Sequence, residues 1–275
     1  MIMAGAAAIE TGLVLGRPRL AYDICGTGPL LVFLHGIGGG RVNWRRQLAQ
    51  FGEHFTAVAW DARGYGDSDD YDGPLAFTDF ADDLARLLDH LDAPRAHVVG
   101  LSMGGRIALD LWRRFPDRVA SLTLADTSAG SREAQDPTKI AAFLAARQKP
   151  LLDGMTPAEL APQLVEALLG PAASGAVRAE LTASLAALHR DSYLKTLEAV
   201  TRFTDFPDFA AIAVPVLVVA GTADRIAPPD VVAAMAAAIP GATLIMIEAA
   251  GHVSNVEAPA AFNAALAGFL AGIGA

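Results

Sequence analysis

Three residues that could together activate a hydroxyl lie in this chain in the order serine, acid, histidine, each just behind an apolar run. The run Ala96–Leu101 leads into Gly100-Leu101-Ser102-Met103-Gly104 and then into a helix-like pattern. A serine hydroxyl is a poor nucleophile until a neighbouring base takes its proton. Presenting it well requires a sharp, strained turn between a strand and a helix. Gly100 and Gly104 stand where a side chain would clash, and Gly105 lets the following helix pack closely, so the stretch reads as a nucleophile elbow. Behind the run Val214–Ala220 comes "GTADRIAPP" with Asp224, and behind Thr243–Ile247 comes "EAAGHVSN" with His252. That set fits acyl transfer: His252, oriented by Asp224, takes the Ser102 proton. Each residue has an ordinary alternative, an incidental serine in a glycine turn, a helix N-cap aspartate and a loop histidine. The coincidence of all three, each following its own strand, favours the catalytic reading. Such a serine also needs two N–H donors for the developing oxyanion. Met103, next in the chain, supplies one. The loop "HGIGGG" after Leu30–Leu34 supplies the other, from Ile37 or, as second choice, Gly36. His35 reads as a brace for that loop.

The elements that must position these groups alternate. Leu30–Leu34, Thr56–Trp60, Ala96–Leu101, Val119–Ala125, Val214–Ala220 and Thr243–Ile247 are short and apolar throughout, as strands buried on both faces of a parallel sheet are. Leu13–Asp23 reads as an antiparallel edge pair closed by the turn Gly26–Pro29. Between the runs, "WRRQLAQFGEHF", "FADDLARLLDHL", "GGRIALDLWRRF", "PPDVVAAMAAAI" and "EAPAAFNAALAGFL" carry apolar residues at spacings of three and four. The alternation predicts an α/β fold with a mostly parallel, doubly wound sheet. It is interrupted from residue 131 to 206 by a stretch that is helical in pattern, including a capping box with Thr156 as N-cap, Pro157 at N1 and Glu159 at N3. Some 75 residues of helix between two strands are no ordinary loop. The expected organisation is a core of residues 1–130 and 207–275 with a helical cap, 131–206, over the edge of the sheet where open α/β sheets bind ligands.

Composition narrows the function classes. The 275 residues are 53% hydrophobic and 19% charged, with a net charge of −9. A chain of this length buries roughly three-quarters of its unfolded surface and needs no disulfide or metal to hold a core. The single cysteine, Cys25, excludes an internal disulfide and a cysteine-based zinc site. No cluster of five or more basic residues marks a nucleic-acid or anionic-membrane partner. No run reaches the ~18–20 apolar residues of a membrane span, and "MIMAGAAAIETG" lacks a basic n-region and reads as a frayed start, so a cytoplasmic protein is expected.

The segments "HGIGGG", "WDARGYGDSD", "GLSMGG", "VPVLVVAGTADRIAPP" and "AAGHVSNVEAPAAFNAALAGFL" resemble, in order, the motifs of the α/β-hydrolase superfamily, over most of the chain outside the cap. Within it, "GLSMGG" and "GHVSNVEAPAAFNAALAGFL" are most similar to the 3-oxoadipate enol-lactonase group. The resemblance implies a serine hydrolase of small carboxylic esters or lactones, an enol-lactone among them, working through Ser102, His252 and Asp224 without metal or organic cofactor. A serine rather than an aspartate at the elbow argues against haloalkane dehalogenases and soluble epoxide hydrolases. Asp126 stands where some members carry the acid, and is second to Asp224. Asp61 and Arg63 match a motif that organises a turn near the active site.

The same resemblance leaves three rivals. They are a carbon–carbon bond hydrolase of ring-fission products, a cofactor-free perhydrolase of the haloperoxidase kind, and a slow-turnover ligand receptor. His54, His90 and His97 read as surface or packing residues, and His189 as a cap residue outside the pocket. A carboxylate-bearing lactone would need a cation in the pocket. The cap offers Arg132, Arg147, Lys149, Arg178, Arg190, Lys195 and Arg202, with Arg106 near the elbow. A wholly apolar pocket would instead favour neutral esters.

Overall fold

Along the central strands, consecutive side chains enter two different cores. The computed structural model describes residues 8–129 and 136–275. Its strands are β1 (Glu10–Val14), β2 (Leu20–Cys25), β3 (Leu30–Leu34), β4 (Thr56–Trp60), β5 (Ala96–Leu101), β6 (Val119–Ala125), β7 (Val216–Gly221) and β8 (Thr243–Ile247). They form one sheet in the order β1-β2-β4-β3-β5-β6-β7-β8, in which β2 runs antiparallel to both its neighbours, β1 and β4, and every other pair is parallel. Val32, Val58, Val98, Leu122 and Val218 belong to one buried cluster. Leu31, Phe33, Ala57, Val99 and Leu217, their chain neighbours, belong to the other. The two-residue period of a strand sends alternate residues to opposite faces, so an all-apolar run signals a strand covered on both sides.

The covering helices follow from the same logic. On the first face lie α2 (Thr78–His90) and α3 (Met103–Arg114), through Phe80, Leu84, Leu87, Ile107 and Leu111, together with α8 (Pro229–Ala238). On the second lie α1 (Arg45–Phe51) and α10 (Pro259–Gly272), through Leu48, Phe51, Phe262 and Leu266, with the short α9 (Ser254–Glu257) ahead of α10. Proline at N1 starts both α8 and α10, where its missing N–H has no intrahelical partner to lose.

Between β6 and β7 stand, among the described residues, four cap helices, α4 (Pro137–Leu152), α5 (Pro157–Leu168), α6 (Gly175–Ala186) and α7 (Arg190–Arg202). The capping box is present. Glu159 N–H donates to Thr156 Oγ1 at 3.2 Å, and Thr156 N–H donates to Glu159 Oε2 at 2.8 Å. Val165, Leu181 and Leu185 join the second-face cluster. Leu144, Leu151, Leu160, Tyr193 and Leu197 form a small cluster of their own.

Three expectations need correction. The edge pair is closed by the segment 15–19, where Gly16 takes a positive φ, while Gly26–Pro29 leads from β2 to β3, which are not neighbours. β8 is an edge strand with only Ile247 buried, so its apolar run is not covered on both faces. The stretch read as a frayed start enters β1 at Glu10, and its first seven residues, like Arg132, lie outside the described residues.

Candidate active site

Ser102 caps α3 directly behind β5, with φ 54° and ψ −112°. A left-handed conformation is costly for a residue with a Cβ, and the turn holds it with backbone bonds. Ser102 N–H donates to Ala125 O at 2.9 Å, and Thr127 Oγ1 donates to Ser102 O at 2.7 Å. A Cβ on Gly100 would collide with the Gly104 carbonyl, and one on Gly104 with the Leu34 carbonyl. The glycines therefore permit two close backbone approaches, strand to helix and elbow to β3.

Asp224 follows β7 and His252 follows β8, so all three residues meet at the C-terminal edge of the sheet. His252 Nδ1 lies 2.8 Å from Asp224 Oδ2, and Nε2 lies 2.8 Å from Ser102 Oγ. Asp224 is acceptor-only when ionised, so Nδ1 carries the proton and Nε2 is left to accept from the serine hydroxyl. The other Asp224 oxygen accepts from Ile226 N–H at 2.8 Å and Ala227 N–H at 3.0 Å. Those bonds fix the carboxylate while both it and His252 are buried.

Asp126, the alternative acid, is turned elsewhere. Its oxygens accept from Gly221 N–H at 3.0 Å and Ser254 N–H at 2.9 Å, tying the ends of β6 and β7 to the histidine loop. Burial pushes its pKa up to about 6. His35 braces the glycine loop, with Nδ1 2.8 Å from Gly36 O and Nε2 accepting from Ala62 N–H at 3.0 Å. Asp61 pairs with Arg41 and accepts from its backbone N–H, while Arg63 pairs with Asp83. Both therefore hold turns. Among the described residues, the Ile37 and Met103 backbone N–H groups donate to no protein acceptor.

Two compartments flank the serine. One, of about 30 Å³, lies against Gly36, Gly38, Trp44, Leu181 and Leu185; it has room for about one water. The other, of about 590 Å³, opens under the cap between Ile37, Met103, Phe143, Leu197, Phe203 and Val231. Ser102 and His252 line both.

A sequence profile for the alpha/beta hydrolase fold matches residues 29–259. The chain belongs to the alpha/beta hydrolase family. It is 31% identical to 3-oxoadipate enol-lactonase 2 of Acinetobacter baylyi, over 86% of this chain and 87% of that one. Among solved structures it resembles a hydrolase from Pseudomonas aeruginosa, with TM-score 0.83, 32% identity and coverage of 98% and 99% of the two chains. It also resembles the enol-lactonase of Burkholderia xenovorans, with TM-score 0.75, 28% identity and coverage of 95% and 100%. The hydrolase carries its serine, histidine and aspartate in the hydrogen-bonded series of a serine hydrolase.

Some of the site was not anticipated. Glu257 accepts from Gly251 N–H at 2.9 Å and from Gly170 N–H at 2.8 Å, fastening the histidine loop to the cap, and His252 N–H donates to Leu168 O at 2.7 Å. Of the cap cations named from sequence that lie among the described residues, only Arg147 lines the large compartment, joined there by Lys139, Arg106 and Arg225. Lys149, Arg178, Arg190 and Arg202 pair with acids elsewhere, and Lys195 reaches Tyr71 O. His189 contacts Asp70 at 2.9 Å on the seam between cap and core.

Proposed function

We propose that this hydrolase cleaves small carboxylic esters or lactones with Ser102 as nucleophile, His252 as general base and acid, and Asp224 orienting the imidazole. The observation carrying the proposal is the unbroken series Ser102 Oγ, His252 Nε2, His252 Nδ1, Asp224 Oδ2, with 2.8 Å at each hydrogen bond. As Oγ attacks the carbonyl carbon, its proton passes to Nε2 and the carbonyl electrons move onto oxygen. The Met103 and Ile37 N–H groups, unpaired by protein, are the donors for that oxyanion. His252 then protonates the leaving alkoxide or enolate, and the acyl-enzyme remains. Water, deprotonated by Nε2, attacks the acyl carbon and releases the acid and Ser102.

Residues 131–206 serve in this reading as the cap that selects the substrate, since α4 and α7 wall the large compartment. The likeness to two enol-lactonases makes an enol-lactone the first specific substrate to try. The test is turnover of p-nitrophenyl acetate and butyrate and of a lactone panel including 3-oxoadipate enol-lactone, by wild type and Ser102→Ala side by side. Loss of kcat by about 10⁴-fold or more in the variant is expected. Equal rates in the two proteins would overturn the assignment.

A further inference from the structure

The large compartment carries four cations, Arg106, Lys139, Arg147 and Arg225, and none has a carboxylate partner among the described residues. Elsewhere in the cap, Lys149, Arg178, Arg190 and Arg202 are matched with acids, and Lys195 with the Tyr71 carbonyl. The acid in the cavity wall, Asp126, gives its oxygens to backbone N–H groups.

Arg106 lies four residues beyond Ser102, in the first turn of α3. At 1.5 Å per residue, its Cα stands about 6 Å along the helix axis from the nucleophile's. Its Nε–H donates to Ser128 O at 3.0 Å and its Nη1–H to Val200 O at 3.1 Å, one acceptor from the core and one from the cap. Phe206 lies 5.6 Å from the guanidinium carbon. A guanidinium has five N–H donors, so these bonds orient the fork and leave donors for a guest.

Among the described residues no carboxylate offsets the charge there. The N-terminal end of a helix is the positive end of its dipole and disfavours a cation. Burial without an anion lowers the Arg106 pKa to about 10. An anion entering the compartment would remove both penalties.

We propose that the large compartment is a carboxylate subsite, in which Arg106, supported by Lys139 and Arg147 of α4, holds a free carboxylate of the substrate a short chain away from the carbonyl at Ser102. The substrates are then anionic esters or lactones. This inference rests on the ester and lactone reading above, and names the substrate class for that site. A charge-assisted, bidentate bond to arginine is short and geometrically demanding, so the subsite sets both affinity and the direction in which the substrate lies.

The test measures kcat/KM for 4-nitrophenyl hemiglutarate against the same ester with its free carboxyl methylated. A second pair, 4-acetoxybutanoate and its methylamide, places the charge on the alcohol side. Wild type is expected to prefer the charged member of one pair by about tenfold or more. Arg106→Gln should collapse that ratio, chiefly through KM, and Arg106→Lys should keep part of it, since lysine retains the charge without the fork. Ser102-dependent turnover with no preference in either pair overturns the subsite. So does a folded Arg106→Gln whose ratio is unchanged, because a merely structural role would slow both members alike. Should Arg106→Gln fail to fold, Lys139→Gln/Arg147→Gln on α4 replaces it, a lowered ratio supporting the subsite and an unchanged one overturning it. Absence of any Ser102-dependent turnover would sink the catalytic reading separately. The subsite is then judged by binding: glutarate should raise the Tm of wild type more than that of the α4 double variant, and equal shifts overturn it.

Discussion

Asp126 and Asp224 are buried carboxylates behind neighbouring strands, and their partners give them different work. Asp224 accepts from His252, so Asp224→Asn presents an amide that no longer selects the Nδ1-protonated ring. A fall in kcat of about 10³–10⁴-fold with little change in KM is expected in steady-state assays. Asp126 holds backbone, and its consequence is a pH dependence of stability. Its pKa rises from the ordinary value of about 4 to about 6 on folding. The native state therefore binds this proton more tightly than the unfolded state does. The contribution is fully present below about pH 4, is lost as pH rises from about 4 to 6, and is level above. Asp126→Asn should erase that segment of the wild-type profile, as read from urea midpoints between pH 4 and 7. Both aspartates were visible in the sequence as loop acids behind strands. Spacing could not choose between them, because the choice lies in which carboxylate faces the imidazole and which faces N–H groups. Of the two, Asp224 is the one that stands 2.8 Å from His252 Nδ1.

The elbow is an element whose conformation is bound to its glycines. Gly104→Ala would drive a Cβ into the Leu34 carbonyl, a backbone atom that cannot rotate away. We expect a loss of several kcal/mol, seen as a large fall in urea midpoint or as failure to purify folded protein. The short α9 is the second sensitive element, since Glu257, its last residue, joins Gly170 of the cap to Gly251 of the histidine loop. Glu257→Gln keeps a single acceptor for two donors. An orphaned buried N–H costs about 1–3 kcal/mol, so a lowered Tm is expected, with kcat falling more than KM as His252 loosens. The strands and helices were legible because their apolar periods are strong. The reach of Glu257 was not, since "SNVEAP" shows only a helix start and its partners lie in other loops. The exposure of β8 was equally hidden, because a strand's apolar character does not record whether it has one neighbour or two.

At the scale of the molecule the cap is two halves. α5 and α6 share the core beneath them through Val165, Leu181 and Leu185. α4 and most of α7 rest on a small cluster over the large compartment, to which α5 adds Leu160, while Val200 of α7 joins the first-face core. Local stability follows the depth of shared apolar packing, so amide exchange in α4 should be faster than in α5 and α6, and exchange at equal rates would contradict this division. The cap was recognisable as an inserted run of helices. Which helix faces turn inward was not, because that is decided by packing against the core, and Lys139 was missed for that reason; Arg225 lies in the loop behind β7, outside the cap. The two compartments beside Ser102 differ almost twentyfold, about 30 against about 590 Å³. An ester whose stereocentre bears one small and one large substituent meets a left and a right that are not interchangeable. Only one mirror image places the small group in the small space while keeping its carbonyl in reach of Oγ. Misplacing even a methylene costs about 1–3 kcal/mol, so a racemate offered to this hydrolase should be resolved, leaving one enantiomer largely unconsumed.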